Sequence, residues 1–159
     1  MSELNLADAA AEVLKANKQT IAVAESSTGG LISGNLLAVP GASAYYMGGT
    51  VIYTLRARRN FLGLDKATLD EQEPLSETYV QLCADRIRES LRSTWGIAEL
   101  GATGPAGTPY GHPAGICVLC VSGPRTLTRR IETGHGDRVK NMDIFTAAAF
   151  ELLEQALTD

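Results

Sequence analysis

The apolar positions of this chain change period several times, and each change marks a helix or a strand. Positions 6, 9, 10, 13 and 14 repeat at the spacing of an amphipathic helix that ends near Lys15. Residues 20–24 follow as a short apolar run with β-branched members, which predicts a buried strand. Residues 30–39 read as a small apolar helix behind the capping hydroxyls of Ser26, Ser27 and Thr28, stopped by Pro40-Gly41. A second strand is expected over 49–54, then a short arginine-bearing helix ending near Gly63. Ser76-Glu77 opens a stronger helix with positions 80, 83, 84, 87 and 91 on one face. Residues 96–102 predict a further strand, 103–113 a loop, and 114–122 with 125–132 a hairpin turned at Gly123-Pro124. From Gly136 onward, positions 142, 145, 149, 152, 153 and 156 describe a long amphipathic helix.

Helices at both ends and between strands predict an α/β fold with a mixed sheet covered on both faces. Such folds bind ligands at the carboxyl ends of strands. The turn after Ala24, the Tyr53 end of the second strand and the loop after Ala102 are three such ends, expected to meet in one crevice.

Composition narrows the function classes. A chain of 159 residues, 45% hydrophobic and 20% charged, reads as one globular domain over 1–159, without repeat or linker. A net charge of −4 and a pI near 5.2 argue against a nucleic-acid partner, which calls for a positive field. No apolar run approaches the length of a membrane span, and the polar, acidic start from Met1 to Asp8 is unlike a signal peptide. The cytoplasm is the expected compartment. Cys83, Cys117 and Cys120 are too few for a disulfide framework. The Cys117/Cys120 pair lies inside an apolar strand pattern that puts the two on opposite faces, and no second pair completes a metal site. His112 and His135 stand alone, so no metal and no cofactor are expected.

Three segments carry candidate chemistry. The turn Glu25-Ser26-Ser27-Thr28-Gly29-Gly30 sets hydroxyls beside the free N–H groups of a helix start. That arrangement binds an anion or holds a nucleophilic serine next to an oxyanion hole; a plain helix cap with packing glycines is the equal alternative. Glu25, directly after a buried strand, either orients a substrate group or pairs with an arginine. The eleven-residue loop 103–113 holds three glycines and three prolines, a rigid backbone able to approach a ligand closely. Its Thr103, Gly104, Ala106 and Gly107 are candidates for substrate contact. Arg138 either clamps a phosphate or is a surface residue beside a capping Asp137.

In order along the chain, these segments resemble the CinA carboxy-terminal-domain family, whose characterised members are nicotinamide-nucleotide amidases. Ala24-Glu25-Ser26-Ser27-Thr28-Gly29-Gly30 is similar to the family's Ala-Glu-Ser-Cys-Thr-Gly-Gly. Val39-Pro40-Gly41-Ala42-Ser43, Gly49-Thr50-Val51-Ile52-Tyr53, Leu62-Gly63-Leu64, Ser76-Glu77, Thr103-Gly104-Pro105-Ala106-Gly107, Pro113-Ala114-Gly115 and Gly136-Asp137-Arg138 follow in register, so that the resemblance runs from about Leu4 to Leu157. It implies a three-layer α/β/α domain that hydrolyses the carboxamide of nicotinamide mononucleotide to carboxylate and ammonia through a serine, a tyrosine and a lysine. The serine maps to Ser26 and the tyrosine to Tyr53, with oxyanion donors among the backbone N–H groups of Ser27 to Gly29. Glu25, Ser27, Thr28, Gly29 and Gly30 are then substrate-binding residues with the loop and Arg138. A nucleotide ligand and a homodimer are the implied partners.

The chain departs from the pattern at three places: the glycine-rich loop is shorter and altered, the family's further arginines after Arg138 fall at Met142 and Asp143, and the stretch after Tyr53 differs. Where the family reads Tyr-Ser-Asn-x-x-Lys, this chain reads Tyr53-Thr54-Leu55-Arg56-Ala57-Arg58. Arg58 takes the lysine's place, and a guanidinium keeps its proton where a lysine can accept one. Two readings stay open: an amidase weakened at this position, or a binding module on the same scaffold that holds a nucleotide or docks another protein.

Overall fold

The structure, a computed structural model, describes residues 6–159. The polar start Met1–Asn5 and the beginning of the family resemblance at Leu4 lie outside these residues. Five strands order as β2-β1-β3-β4-β5: β1 Ile21–Glu25, β2 Tyr46–Val51, β3 Trp95–Gly101, β4 Ile116–Ser122 and β5 Leu127–Glu132. β1 pairs in parallel with β2 and β3, while β3–β4 and β4–β5 are antiparallel. The apolar runs occupy the middle of the sheet: β1 and β4 are buried throughout, and β3 at all but its last residue. The edge strand β2 alternates half-buried and exposed residues, as a strand with a solvated side does.

Helices cover both faces. On one, α1 Asp8–Asn17, α2 Leu31–Leu37 and α6 Arg138–Thr158 pack Leu14, Leu36, Phe145, Phe150 and Leu153 against Ile21, Val23, Ile97 and Leu119. On the other, α3 Leu55–Leu62, α4 Lys66–Asp70 and α5 Glu77–Leu91 pack Leu62, Leu69, Val80, Cys83, Ala84 and Ile87 against Ala22, Ala24, Ala98 and Val118. This is the expected three-layer α/β/α arrangement with a mixed sheet. Cys117 belongs to the first core and Cys120 to the second, so the pair does sit on opposite faces, and all three cysteines are free and buried.

Two elements differ from expectation. β2 begins at Tyr46 and ends at Val51, so Tyr53 lies beyond the strand; Gly48-Gly49 inside it weakens the apolar signal. α4 was not expected because it is a five-residue helix held by Asp65, whose side chain accepts from the Thr68 N–H at 2.8 Å.

The chain leaves β1 through α2 to reach β2 on one side, and returns from β2 to β3 on the other. The carboxyl ends of all three parallel strands therefore lie together, with Glu25 in register between Val51 and Glu99. Such a switch in strand order opens a crevice.

Candidate functional site

A cavity of about 640 Å³ occupies that crevice. It is lined by Ser26 after β1, Tyr53 after β2, the end of β3 from Leu100 and the loop after it to Tyr110 apart from Pro105, Arg58 of α3, Tyr79 of α5 and Arg138 of α6. The three expected strand ends do converge.

The turn after β1 is built around two carboxylates. Glu25 caps α2: its Oε1 accepts from the N–H groups of Gly30 at 2.9 Å and Ile32 at 3.1 Å, and its Oε2 from the Ser33 N–H at 3.0 Å. The Thr28 hydroxyl adds a 2.6 Å bond to Oε1. Both oxygens are engaged, which answers the demand that a buried carboxylate find partners. Glu25 does not line the cavity and pairs with no arginine among the described residues.

Glu99, its register neighbour on β3, is fully buried. Its Oε1 accepts from the Ser26 N–H at 2.8 Å and the Thr28 N–H at 3.1 Å, and its Oε2 from the Ser27 hydroxyl. Thr28 Oγ1 is also 2.9 Å from Glu99 Oε1. The Thr28 hydroxyl lies between the two carboxylates, nearer to Glu25. Burial pushes the Glu99 carboxyl up, against the pull of its donors from Ser27, Thr28 and Ser26.

These bonds revise the expected oxyanion donors. The Thr28 N–H goes to Glu99 and the Gly29 N–H to the Ser26 carbonyl at 3.1 Å. Among the described residues the Ser27 amide has no acceptor and is the donor that remains. Ser27, Thr28, Gly29 and Gly30 do not line the cavity; they build the turn that presents Ser26.

Arg58 reaches in from the first turn of α3, one helical turn before the buried Leu62. Thr54 starts that helix by accepting from the Ala57 N–H at 3.0 Å. The guanidinium is held from three sides. Nε donates to the Ile52 carbonyl at 2.9 Å, Nη1 to the Tyr79 hydroxyl at 2.9 Å and Nη2 to Ser26 Oγ at 3.5 Å. It also lies over the Tyr79 ring, 5.3 Å from the centroid. Burial pushes the Tyr79 phenol up while Arg58 pulls it down. Tyr53 is exposed, and its hydroxyl accepts from Arg138 Nη2 at 3.3 Å rather than from Arg58.

Arg138 also donates through Nη1 to the Gly104 carbonyl. The backbones of loop and helix start touch here: a Cβ on Gly104 would stand 2.6 Å from the Gly136 oxygen. Asn141 adds a bond to the Thr103 carbonyl at 2.9 Å. Thr103, Gly104, Ala106 and Gly107 line the cavity, and so do Ser26, Tyr53, Arg58 and Arg138.

Sequence reasoning missed Glu99 and Tyr79. Both sat inside patterns read only for burial, and a carboxylate within the apolar run 95–100 was the available signal for the first.

The same architecture occurs in solved CinA superfamily structures. A Klebsiella pneumoniae member superposes with a TM-score of 0.90 at 28% identity, covering 99% of this chain and 98% of that one. The competence/damage inducible protein CihA of Agrobacterium tumefaciens gives 0.89 at 27% identity, covering 100% and 98%. The family model for the CinA C-terminal domain matches residues 3–157. The chain belongs to the CinA C-terminal domain family. A CinA-like protein of Salinibacter ruber is 35% identical over 92% of this chain, and a putative competence-damage inducible protein of Halothermothrix orenii is 32% identical over 98%. This CinA domain covers 36% and 38% of those two proteins' lengths. Among its described residues no helix is long and apolar enough to cross a membrane, and no group of three or more His, Cys, Asp or Glu is arranged to hold a metal ion.

Proposed function

We propose that this CinA domain is a serine amidohydrolase of a phosphate-bearing carboxamide, with nicotinamide mononucleotide the substrate to test. One observation carries the reading: Ser26 lines the cavity with a fixed cation, Arg58 Nη2, 3.5 Å from its Oγ. Ser26 attacks the amide carbon, and the resulting oxyanion takes hydrogen bonds from Arg58 and the Ser27 N–H. Collapse releases ammonia and leaves an acyl-Ser26, which water hydrolyses to the carboxylate. The guanidinium holds its proton, so the base in this scheme is Tyr53 in its phenolate form, its oxygen 3.3 Å from the Arg138 cation. It takes the Ser26 proton and returns it to the nitrogen that leaves as ammonia. Arg138 also offers charge to a phosphate at the cavity mouth. The free, buried cysteines accord with a cytoplasmic site of action.

Ammonia release from nicotinamide mononucleotide, compared with Ser26→Ala, tests the reading. Equal release from both proteins overturns it.

A second reading, a non-enzymatic nucleotide-binding module, draws support from the same arginine. Arg58 is tied to Ile52 and Tyr79, an arrangement suited to a static anion clamp. A thermal-shift series separates the two, since a ligand at 100 times its Kd adds about 2.7 kcal/mol of stability. Stabilisation that survives Ser26→Ala without any turnover selects the binding module.

A further inference from the structure

We infer that Glu99 is the positioning residue of this site: by gripping the Ser26–Thr28 turn from beneath, it sets Ser26 against Arg58 and decides which turn amide is left for an oxyanion. The inference rests on the reading of Ser26 as a nucleophile.

The geometry that carries it is the distribution of bonds around the serine. Glu99 takes the backbone N–H on the nucleophile itself, the hydroxyl of the next residue, and the N–H of the residue after that. The Glu99 carbonyl also accepts from the Ser26 N–H at 3.1 Å, so backbone and side chain of one residue fix the same amide. Three consecutive residues are thereby tied to one buried carboxyl, and the turn closes through Gly29 (φ +64°) and Gly30 (φ +110°), conformations that favour glycine. Space for this carboxyl is reserved by Gly101, where a Cβ would stand 2.7 Å from Ser27 Oγ and 3.0 Å from Glu99 Oε2. With the Gly29 N–H held by the Ser26 carbonyl, the grip of Glu99 on the Thr28 N–H leaves Ser27 N–H for the oxyanion, while Glu25 is committed to α2.

Glutamine keeps this arrangement, with its carbonyl accepting both N–H groups and its NH2 donating to Ser27 Oγ. Leucine abolishes it. The experiment measures labelling of the whole chain by an alkyl fluorophosphonate, in which Ser26 Oγ bonds to phosphorus, fluoride leaves, and the serine proton passes to solvent. The maximal labelling rate and the half-saturating reagent concentration are read by intact mass, after circular dichroism has shown each variant folded. Glu99→Gln is expected to label within about threefold of wild type, and Glu99→Leu at least ~30-fold more slowly at an unchanged half-saturating concentration. Glu99→Asp, which withdraws the acceptor by one methylene, serves if Glu99→Leu does not fold and is expected to lose ~10-fold. A folded Glu99→Leu or Glu99→Asp that labels at the wild-type rate overturns the inference and leaves the nucleophile intact. A wild type that labels no faster than Ser26→Ala overturns the nucleophile and this inference with it.

Discussion

Arg58 and Ser26 face each other across the cavity, guanidinium Nη2 to hydroxyl oxygen at 3.5 Å, with the arginine's two other bonds running to Ile52 and Tyr79. A cation fixed on this side of the serine stabilises negative charge and cannot remove a proton. On the proposed reading this pair favours binding of an oxyanion over generation of the nucleophile, and the consequences can be measured.

Arg58→Lys should increase ammonia release from nicotinamide mononucleotide, by ~10-fold if the neutral amine supplies even a small part of a general base's usual effect. Leu55→Asn added to it should increase release further, because Leu55 lines the same cavity. Steady-state turnover of the three proteins checks this. A high wild-type rate that falls in Arg58→Lys would show the arginine to be the adapted residue.

Arg138→Ala should raise KM for nicotinamide mononucleotide by ~10-fold or more, the scale of a lost charged hydrogen bond. Nicotinamide riboside, which lacks the phosphate, should show no such change. An equal effect on both would place Arg138 in the chemistry through Tyr53 rather than on a phosphate.

Glu25→Ala should destabilise the fold by roughly 2–4 kcal/mol, since three backbone N–H groups and the Thr28 hydroxyl lose their acceptor. Urea denaturation measures it, and Glu25→Gln, which keeps an acceptor oxygen, should lose less. A loss under about 0.5 kcal/mol in Glu25→Ala would show that water replaces the carboxylate freely.

Stability should fall with rising pH through Glu99. Its folded carboxyl sits above the ordinary 4.5, so the folded state holds a proton that the unfolded chain gives up first. The contribution is complete below the ordinary value and is lost as pH rises through the folded one. Glu99→Gln cannot ionise, so its stability relative to wild type should improve steadily upward from about pH 4.5. Parallel denaturation curves of the two proteins across pH 4 to 8 would contradict the assignment.

The thiols should be silent in the native protein. Burial pushes both Cys83 and Cys120 up to about 12, and Cys117 upward as well. Iodoacetamide at pH 8 should leave all three unmodified until urea is added, because the reactive thiolate is scarce and shielded. Rapid native labelling would show that the sheet opens locally.

Much of this architecture is written in local pattern. Runs such as Ile21–Glu25 and Ile116–Ser122 are apolar because central strands are covered on both faces, and that burial leaves a readable trace in any sequence. The stops at Pro40-Gly41 and Gly63, the cap at Ser76 and the glycine-rich loop after Ala102 are also local, so Ser26, Tyr53, Thr103 and Gly104 could be assigned to strand ends, and Arg138 to a helix start, before any fold was known. Which groups face one another was decided by tertiary structure. Glu25 and Glu99 are 74 positions apart and adjacent only because β1 and β3 pair in parallel register. That pairing turns Ser27 and Thr28 inward and leaves the Ser27 amide as the spare donor. Arg58 meets Tyr79 rather than Tyr53 because α5 packs beneath α3, while Tyr53 leaves the end of β2 toward Arg138. A sequence pattern records how deeply a residue is buried; which partner meets it follows from strand order and helix packing, both set by contacts between distant parts of the chain.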